Sequence, residues 1–472
     1  MLVEINHLGA IDHASIDVKP LTVFIGKNNT GKTWAATTIC GIFDSVVHDQ
    51  HTVALMGGKL EEEYPPIETA FNELMEWGSF KFDLIRFFEE YGLKYHQNIC
   101  KYSDKWINIS LGTRQPLFDD FTMQLVFSDE DLNSGKSILL DRKLESSLPP
   151  APGKEGLIQV MKETGSPIIY FNFAPNRTPD ELPPEKIRYL IYYYILDKLR
   201  WAICNNIAYL PAERTGLIAL MDSLRVNVVK DYSKAQNIDQ LEEDPFHFSI
   251  PALPIVDLIG TLSHLKIPDI FKRITSRRKI AGHEDIAELS GILEREVLGG
   301  QFELEVHENR LTQSWIYRDT QAKETKLEMS VTSSTVKDLA PLVLYLRYLL
   351  KPRDLLLIDE PEMNLHPENQ ARFMELLVMM VNAGINIIIV THSPYMVHHL
   401  ENLIKASGNT EIDRIMDRFY LNDKRAFIPA DKVSVYFFGE AGTRQINDEK
   451  GNIDLSTFSK VGEDLAEIYF DV

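Results

Sequence analysis

The sequence predicts an α/β fold, a mixed sheet flanked by helices and split by a large, mainly helical insertion. Three observations predict it. Leu21-Thr22-Val23-Phe24-Ile25 is strand-like and leads through a glycine-bounded loop into a helix-compatible run, residues 34–43. Far downstream, Leu355-Leu356-Leu357-Ile358 and Ile387-Ile388-Ile389-Val390 are continuous apolar runs, as parallel strands buried on both faces require. Between these halves lie roughly 250 residues, more than one such sheet needs.

The loop is Gly26-Lys27-Asn28-Asn29-Thr30-Gly31-Lys32-Thr33, which fits G-x-x-x-x-G-K-[ST] between a strand and a helix. Its glycines let the backbone turn tightly, so that N–H groups point at phosphate oxygens. The helix that follows presents unpaired N–H groups and partial positive charge to the same anion. Lys32 can reach β- and γ-phosphates, and the Thr33 hydroxyl can ligate Mg²⁺.

The apolar run at 355–358 ends in Asp359-Glu360. A carboxylate at such a strand end suits Mg²⁺, the Walker-B role, and a glutamate directly after it suits a base that polarises water. The run at 387–390 ends in Thr391-His392-Ser393, which brings His392 to the same sheet edge. Open α/β sheets bind ligands at the carboxyl ends of their strands.

Together these motifs resemble an ABC-type ATPase head, in particular the RecF/SMC/OLD-like branch of AAA-family P-loop ATPases. Three further stretches carry the likeness. Asn6-His7-Leu8-Gly9-Ala10-Ile11 followed by Lys19-Pro20-Leu21-Thr22-Val23-Phe24-Ile25-Gly26 resembles the opening pair of strands in that branch. Glu360-Pro361-Glu362-Met363-Asn364-Leu365-His366-Pro367 resembles its D-loop, and Thr332-Ser333-Ser334-Thr335-Val336-Lys337 its signature motif. The matches are confined to about the first 45 residues and to residues 302–394.

The resemblance implies ATP and Mg²⁺ as cofactors, with Asp359 and Thr33 at the metal and Glu360, His392 and Lys32 in catalysis. It also implies a homodimer in which each ATP lies on one subunit's P-loop, under Ser333, Ser334 and Thr335 of the other. A higher oligomer of such dimers is compatible with it. Read from the residues alone, Ser333–Thr335 suit either an anion site or an ordinary helix cap before the helical run at 336–350. Thr335 stands where the family often has glycine. No glutamine loop is recognisable. The nearest candidate for an equivalent is Ile207-Ala208-Tyr209-Leu210-Pro211-Ala212-Glu213-Arg214, whose Glu213 and Arg214 suit either a nucleotide sensor or a plain salt bridge.

Composition bounds the function. The 472 residues are 44% hydrophobic, enough for two or three cores. Cys40, Cys100 and Cys204 show no C-x-x-C spacing, which argues against a zinc site or disulfide framework and suits a reducing, cytoplasmic compartment. The chain opens directly on strand pattern, and its most apolar stretch, 376–390, is interrupted by Asn382, Gly384 and Asn386, so no membrane role is expected. A net charge of −20 argues against broad nucleic-acid binding while leaving a local patch open. The densest basic cluster, Lys272, Arg273, Arg277, Arg278 and Lys279, suits a solvated face better than a phosphate site.

The expected ATPase head comprises residues 1–50 and 300–472. Residues 51–299 form the insertion, a sensor or partner-binding region, with 205–216 returning to the head. Within it, about 55–105 reads as helical, and 184–205 as a helix with Ile187, Leu190, Ile191, Tyr194, Ile195 and Trp201 on one stripe. Trp106-Ile107-Asn108-Ile109 and Met123-Gln124-Leu125-Val126-Phe127 lean to strand, and 146–155 reads as a loop. Sustained heptads are absent, and the residues after Ser393 are too few for a Toprim domain. The chain therefore resembles a stand-alone ATPase of bacterial anti-phage systems, a nucleotide-driven switch controlling a separate effector, such as a nuclease, encoded nearby. The alternative is a RecF-like repair clamp on duplex DNA.

Overall fold

The computed structural model describes residues 1–113, 118, 120–149, 156–224, 252–264, 283–307, 312–319, 325–440, 442–456, 458, 464 and 467–469. The basic cluster at 272–279 lies outside the described residues, as do 150–155 of the expected loop. The chain divides into two compact units. The first comprises Met1–Glu4, Ile39–Ile107 and Asp119–Asn206, and the second Ile5–Thr38, Asn108–Phe118 and Ile207–Val472.

In chain order, β1 (Leu2–Leu8), β2 (Ile11–Asp17), β3 (Leu21–Gly26) and α1 (Lys32–Gly41) open the chain. Then come α2 (Ser45–Met56), α3 (Pro65–Trp77), β4 (Ser79–Asp83), α4 (Leu84–Lys101) and α5 (Ser103–Ser110). They are followed by β5 (Thr122–Val126), α6 (Asp129–Asp141), β6 (Leu144–Leu148), β7 (Ile158–Lys162), β8 (Ile168–Phe173) and α7 (Pro184–Ile203). The second unit resumes with β9 (Ile207–Leu210), α8 (Arg214–Leu224), α9 (Leu253–His264) and α10 (His283–Ile292). A three-stranded sheet, β10 (Gly300–His307), β11 (Thr312–Asp319) and β12 (Thr325–Glu328), precedes α11 (Ser334–Leu344). The rest is β13 (Leu355–Asp359), α12 (Pro367–Asn382), β14 (Asn386–Val390), α13 (Pro394–Ser407), β15 (Val433–Gly439) and β16 (Gly442–Gln445).

The second unit is built on a six-stranded sheet in the order β16-β15-β3-β14-β13-β9. Only the β15–β16 pair is antiparallel. All five residues of β13 are buried, and its run of Leu and Ile follows from that. Leu356, Ile358, Ile387 and Ile389 share one core with Phe373, Met374 and Leu377 of α12 and Met396 and Leu400 of α13. Leu258, Leu262, Ile286 and Leu289 join the same core. The described residues of 207–299 belong to the second unit.

The first unit holds more strand than expected. Its sheet, β4-β8-β7-β6, is antiparallel throughout. Phe80 and Phe82 alternate inward along β4, and Phe80 stacks on Phe171 with ring centroids 4.4 Å apart. Of the expected stripe on α7, Ile187, Ile191, Tyr194 and Ile195 are buried, and Leu190 and Trp201 are half-buried. Two local expectations are corrected. Residues 106–109 are helical, in α5, because Trp106 and Ile107 are buried and the Trp106 indole N–H donates to the Ile99 carbonyl at 2.9 Å. Tertiary burial here overrides the strand preference of β-branched residues. Ser146, Ser147 and Leu148 belong to β6, where pairing with β7 supplies the partners that Ser-rich sequence does not advertise.

A candidate nucleotide site at the sheet edge

Three parallel strands deliver their ends to one place. Phe24 of β3 pairs with Val390 of β14, and Val390 with Asp359 of β13. The 26–33 loop, Asp359-Glu360 and Thr391-His392 therefore emerge at a common edge. They border a cavity of about 740 Å³ lined by Gly9, Ala10, residues 28–34, Asp359, Glu360, Val390 and His392.

Gly26 ends β3 with φ 143° against β15. A Cβ there would lie 2.1 Å from the Phe438 carbonyl oxygen, so only glycine fits. The Lys32 ammonium lies within the loop and donates to the Gly26 and Lys27 carbonyls at 3.2 and 2.5 Å. Burial lowers its pKa, opposed by Asp359, Glu360 and Glu362. Thr30 donates to the Lys27 carbonyl at 2.9 Å, and Lys27 pairs with Glu440 at 3.2 Å. Asn28, Asn29 and Gly31 complete the loop wall.

Thr33 Oγ1 donates to Asp359 Oδ2 at 3.0 Å. Burial pushes the Asp359 carboxyl up to about 6; the Thr33 hydroxyl opposes this, Glu360 and Glu213 reinforce it, and Arg214 opposes it. A hydroxyl and a carboxylate in contact are hard oxygen donors, and they fit Mg²⁺ completed by phosphate and water. Among the described residues no group of three or more His, Cys, Asp or Glu side chains could hold a metal ion.

Glu360 adopts φ 48°, and its N–H donates to the Val390 carbonyl at 2.9 Å. His392 is held by Glu362, which sequence reading placed only as part of the D-loop. Glu362 Oε1 accepts the His392 N–H at 2.6 Å, and Oε2 accepts Thr391 Oγ1 at 2.7 Å. Burial and then Lys32 lower the His392 pKa, opposed by Glu362 and Glu360, which favours the neutral imidazole.

Arg214 reaches backbone carbonyls. Its guanidinium is only 1% exposed and donates to the carbonyls of Pro211, Asp359 and Glu360 at 3.1, 2.6 and 2.9 Å. It therefore braces the backbone at Asp359 and Glu360. Glu213 lines a second cavity, about 200 Å³, with Thr33, Trp34, Tyr209 and Asp359.

Ser333, Ser334 and Thr335 are not brought to the loop of their own chain. Ser333 caps α11 by accepting the Val336 N–H at 3.3 Å. Thr335 donates to the Asn364 carbonyl at 2.7 Å, and Asn364 donates to Asp338 Oδ2 at 2.6 Å. Lys337 is tied to the Ser330 carbonyl at 2.9 Å. Ser333 and Thr335 border a separate cavity of about 320 Å³, with Arg295, Gly299, Asn369 and Arg372. No sequence signal had marked Arg295 or Arg372, which stand outside any motif.

Residues 208–398 match the family described as an AAA domain, putative AbiEii toxin, Type IV TA system. The matched stretch contains the Asp359-Glu360 and Thr391-His392 strand ends, and the 26–33 loop lies outside it. No curated protein matches the chain. Among solved structures it is similar to an Smc head bound to the C-terminal winged-helix domain of ScpA, at 10% identity, covering 94% of this chain and 96% of that one, with TM-score 0.33. It is also similar to an Smc head with an extended coiled coil bound to the C-terminal domain of ScpA from Pyrococcus furiosus, at 11% identity, 98% of both chains and TM-score 0.33. Among the described residues no helix is long and apolar enough to cross a membrane.

Proposed function

We propose that this protein is a P-loop ATPase of the ABC type, and that it works as a nucleotide-driven dimer switch governing a separate effector. The observation that carries the reading is the Thr33–Asp359 contact at the mouth of a loop that also holds Lys32. The loop N–H groups and Lys32 bind the phosphates of ATP. Thr33 and Asp359 would hold Mg²⁺, which would neutralise charge developing on the phosphates. Glu360, at the end of β13, takes a proton from the attacking water. Neutral His392 donates to the γ-phosphate, held in place by Glu362. Separation of Ser333, Ser334 and Thr335 from their own loop supports their action in trans, on a nucleotide bound by a second copy. ATP then favours the closed dimer because only that state gives it both half-sites.

The effector reading draws on the matched family, whose description names a toxin of a toxin–antitoxin system. In this reading the first unit senses the trigger or holds the effector, a nuclease or toxin-like protein encoded nearby, as part of bacterial antiviral defence in the cytoplasm. The net charge of −20 does not favour duplex DNA as the partner. The test is Glu360→Gln with ATP in the native host. The variant is expected to retain ATP, sediment as a dimer and co-purify stoichiometrically with a neighbour-encoded protein. A variant that binds ATP yet associates no more than wild type would refute the switch, and recovery of DNA alone would refute the effector assignment.

A further inference from the structure

We propose that Trp34 is the platform on which the base of the bound nucleotide stacks, a step that rests on the nucleotide reading of the loop cavity. Trp34 directly follows Thr33 and lies in the first turn of α1. Its ring is fixed from two sides. Gly9, in the turn between β1 and β2, has φ +60°, and a Cβ there would lie 2.1 Å from Trp34 Cζ3. The ring therefore rests on bare backbone, which any larger residue at position 9 would displace. Phe118 meets it edge-to-face, with centroids 5.4 Å apart and planes at 86°. Even so, Trp34 remains 38% exposed and lines the cavity. A large aromatic ring held in place and left open at a polar cavity is placed to receive an apolar or π-faced ligand.

The cavity lining fixes which part of the ligand that is. Residues 28–33 are the phosphate loop itself. Thr33 and Asp359 mark the metal end, and Glu360, Val390 and His392 are the ends of β13 and β14. The remaining lining residues are Gly9, Ala10 and Trp34. Gly9 and Ala10 offer no side-chain hydrogen bond to a base edge, whereas every base offers a π-face to an indole. Recognition on this wall is therefore by stacking.

Inorganic tripolyphosphate separates the base from the phosphates. Full-length wild type, Trp34→Leu and Trp34→Phe are titrated calorimetrically with ATP and with tripolyphosphate, each with Mg²⁺. Wild type is expected to bind ATP more tightly than tripolyphosphate. Trp34→Leu should weaken ATP at least about fivefold, the lower end of one base–aromatic stack, and leave tripolyphosphate unchanged. Trp34→Phe, which keeps a π-face, should recover most of the ATP affinity. Equal weakening of both ligands would make Trp34 a mere support of the loop and overturn the proposal, as would undiminished ATP affinity in Trp34→Leu. Lys32→Ala is the control. If it binds both ligands as wild type does, the nucleotide site itself is misassigned and the stacking proposal falls with it.

Discussion

Arg214→Lys is expected to reduce turnover far more than nucleotide binding. The wild-type guanidinium reaches three carbonyls, those of Pro211 and Asp359 buried and that of Glu360 partly so. Hydrogen bonds to a charged donor contribute about 1.5–3 kcal/mol each, and a buried acceptor left alone costs about 1–3 kcal/mol. Lysine keeps the charge but replaces a planar fork by a single nitrogen. At least one carbonyl then loses its donor, so Arg214→Lys should destabilise the second unit by about 2 kcal/mol. At about 2–4 °C per kcal/mol, the melting point falls by roughly 4–8 °C. Turnover suffers separately. Glu360 sits at φ 48°, between Val390, which accepts its N–H, and Arg214, which donates to its carbonyl. Releasing one anchor lets the backbone relax, and a displacement of about 1 Å at a reacting group costs on the order of 100-fold. Phosphate release, ATP titration and a thermal melt measure the three effects together. A lysine variant that melts within about 1 °C of wild type and hydrolyses ATP at the wild-type rate would refute the bracing role.

Glu362→Gln leaves one acceptor oxygen where Thr391 and His392 now use two, and removes the charge. Hydrolysis should fall about tenfold with ATP affinity little changed, and unaltered single-turnover kinetics would refute the positioning. In the first unit, burial pushes the His96 imidazole down to about 4, below the ordinary 6.5. Its folded form binds fewer protons than its unfolded form, so its full contribution is present above pH 6.5. It is lost as pH falls from 6.5 to 4, by roughly 3 kcal/mol. Melting curves across that range should slope less steeply in His96→Gln than in wild type, and parallel slopes would dispose of the assignment.

What could be read from the chain is what short stretches encode. The 26–33 loop, the acid pair after 355–358 and the histidine after 387–390 each announce themselves through a local run and its ending. The roles of Arg214 and Glu362 depend on partners 145 and 30 residues away, and nothing local records them. The sheet in the first unit is hidden from local sequence for a similar reason. Its strands are five or six residues long, and β6 runs through a serine pair whose strand character comes from β7 alone. The contact of Trp34 with Gly9 joins two segments that look ordinary apart. Local sequence carried the chemistry, and long-range packing carried its support.

The strand order also sets a timetable for synthesis. β3 hydrogen-bonds to β14 and β15, which begin at Asn386 and Val433. At about 5–20 residues per second, a ribosome needs roughly 20–80 s to travel from the phosphate loop to the strand that clamps Gly26. For most of that interval the apolar strand β3 is without its native neighbours β14 and β15. Exposed apolar strand at residues 21–25 is a target for holding chaperones until then, and the cavity at the 26–33 loop is complete only once β14 and β15 have been made.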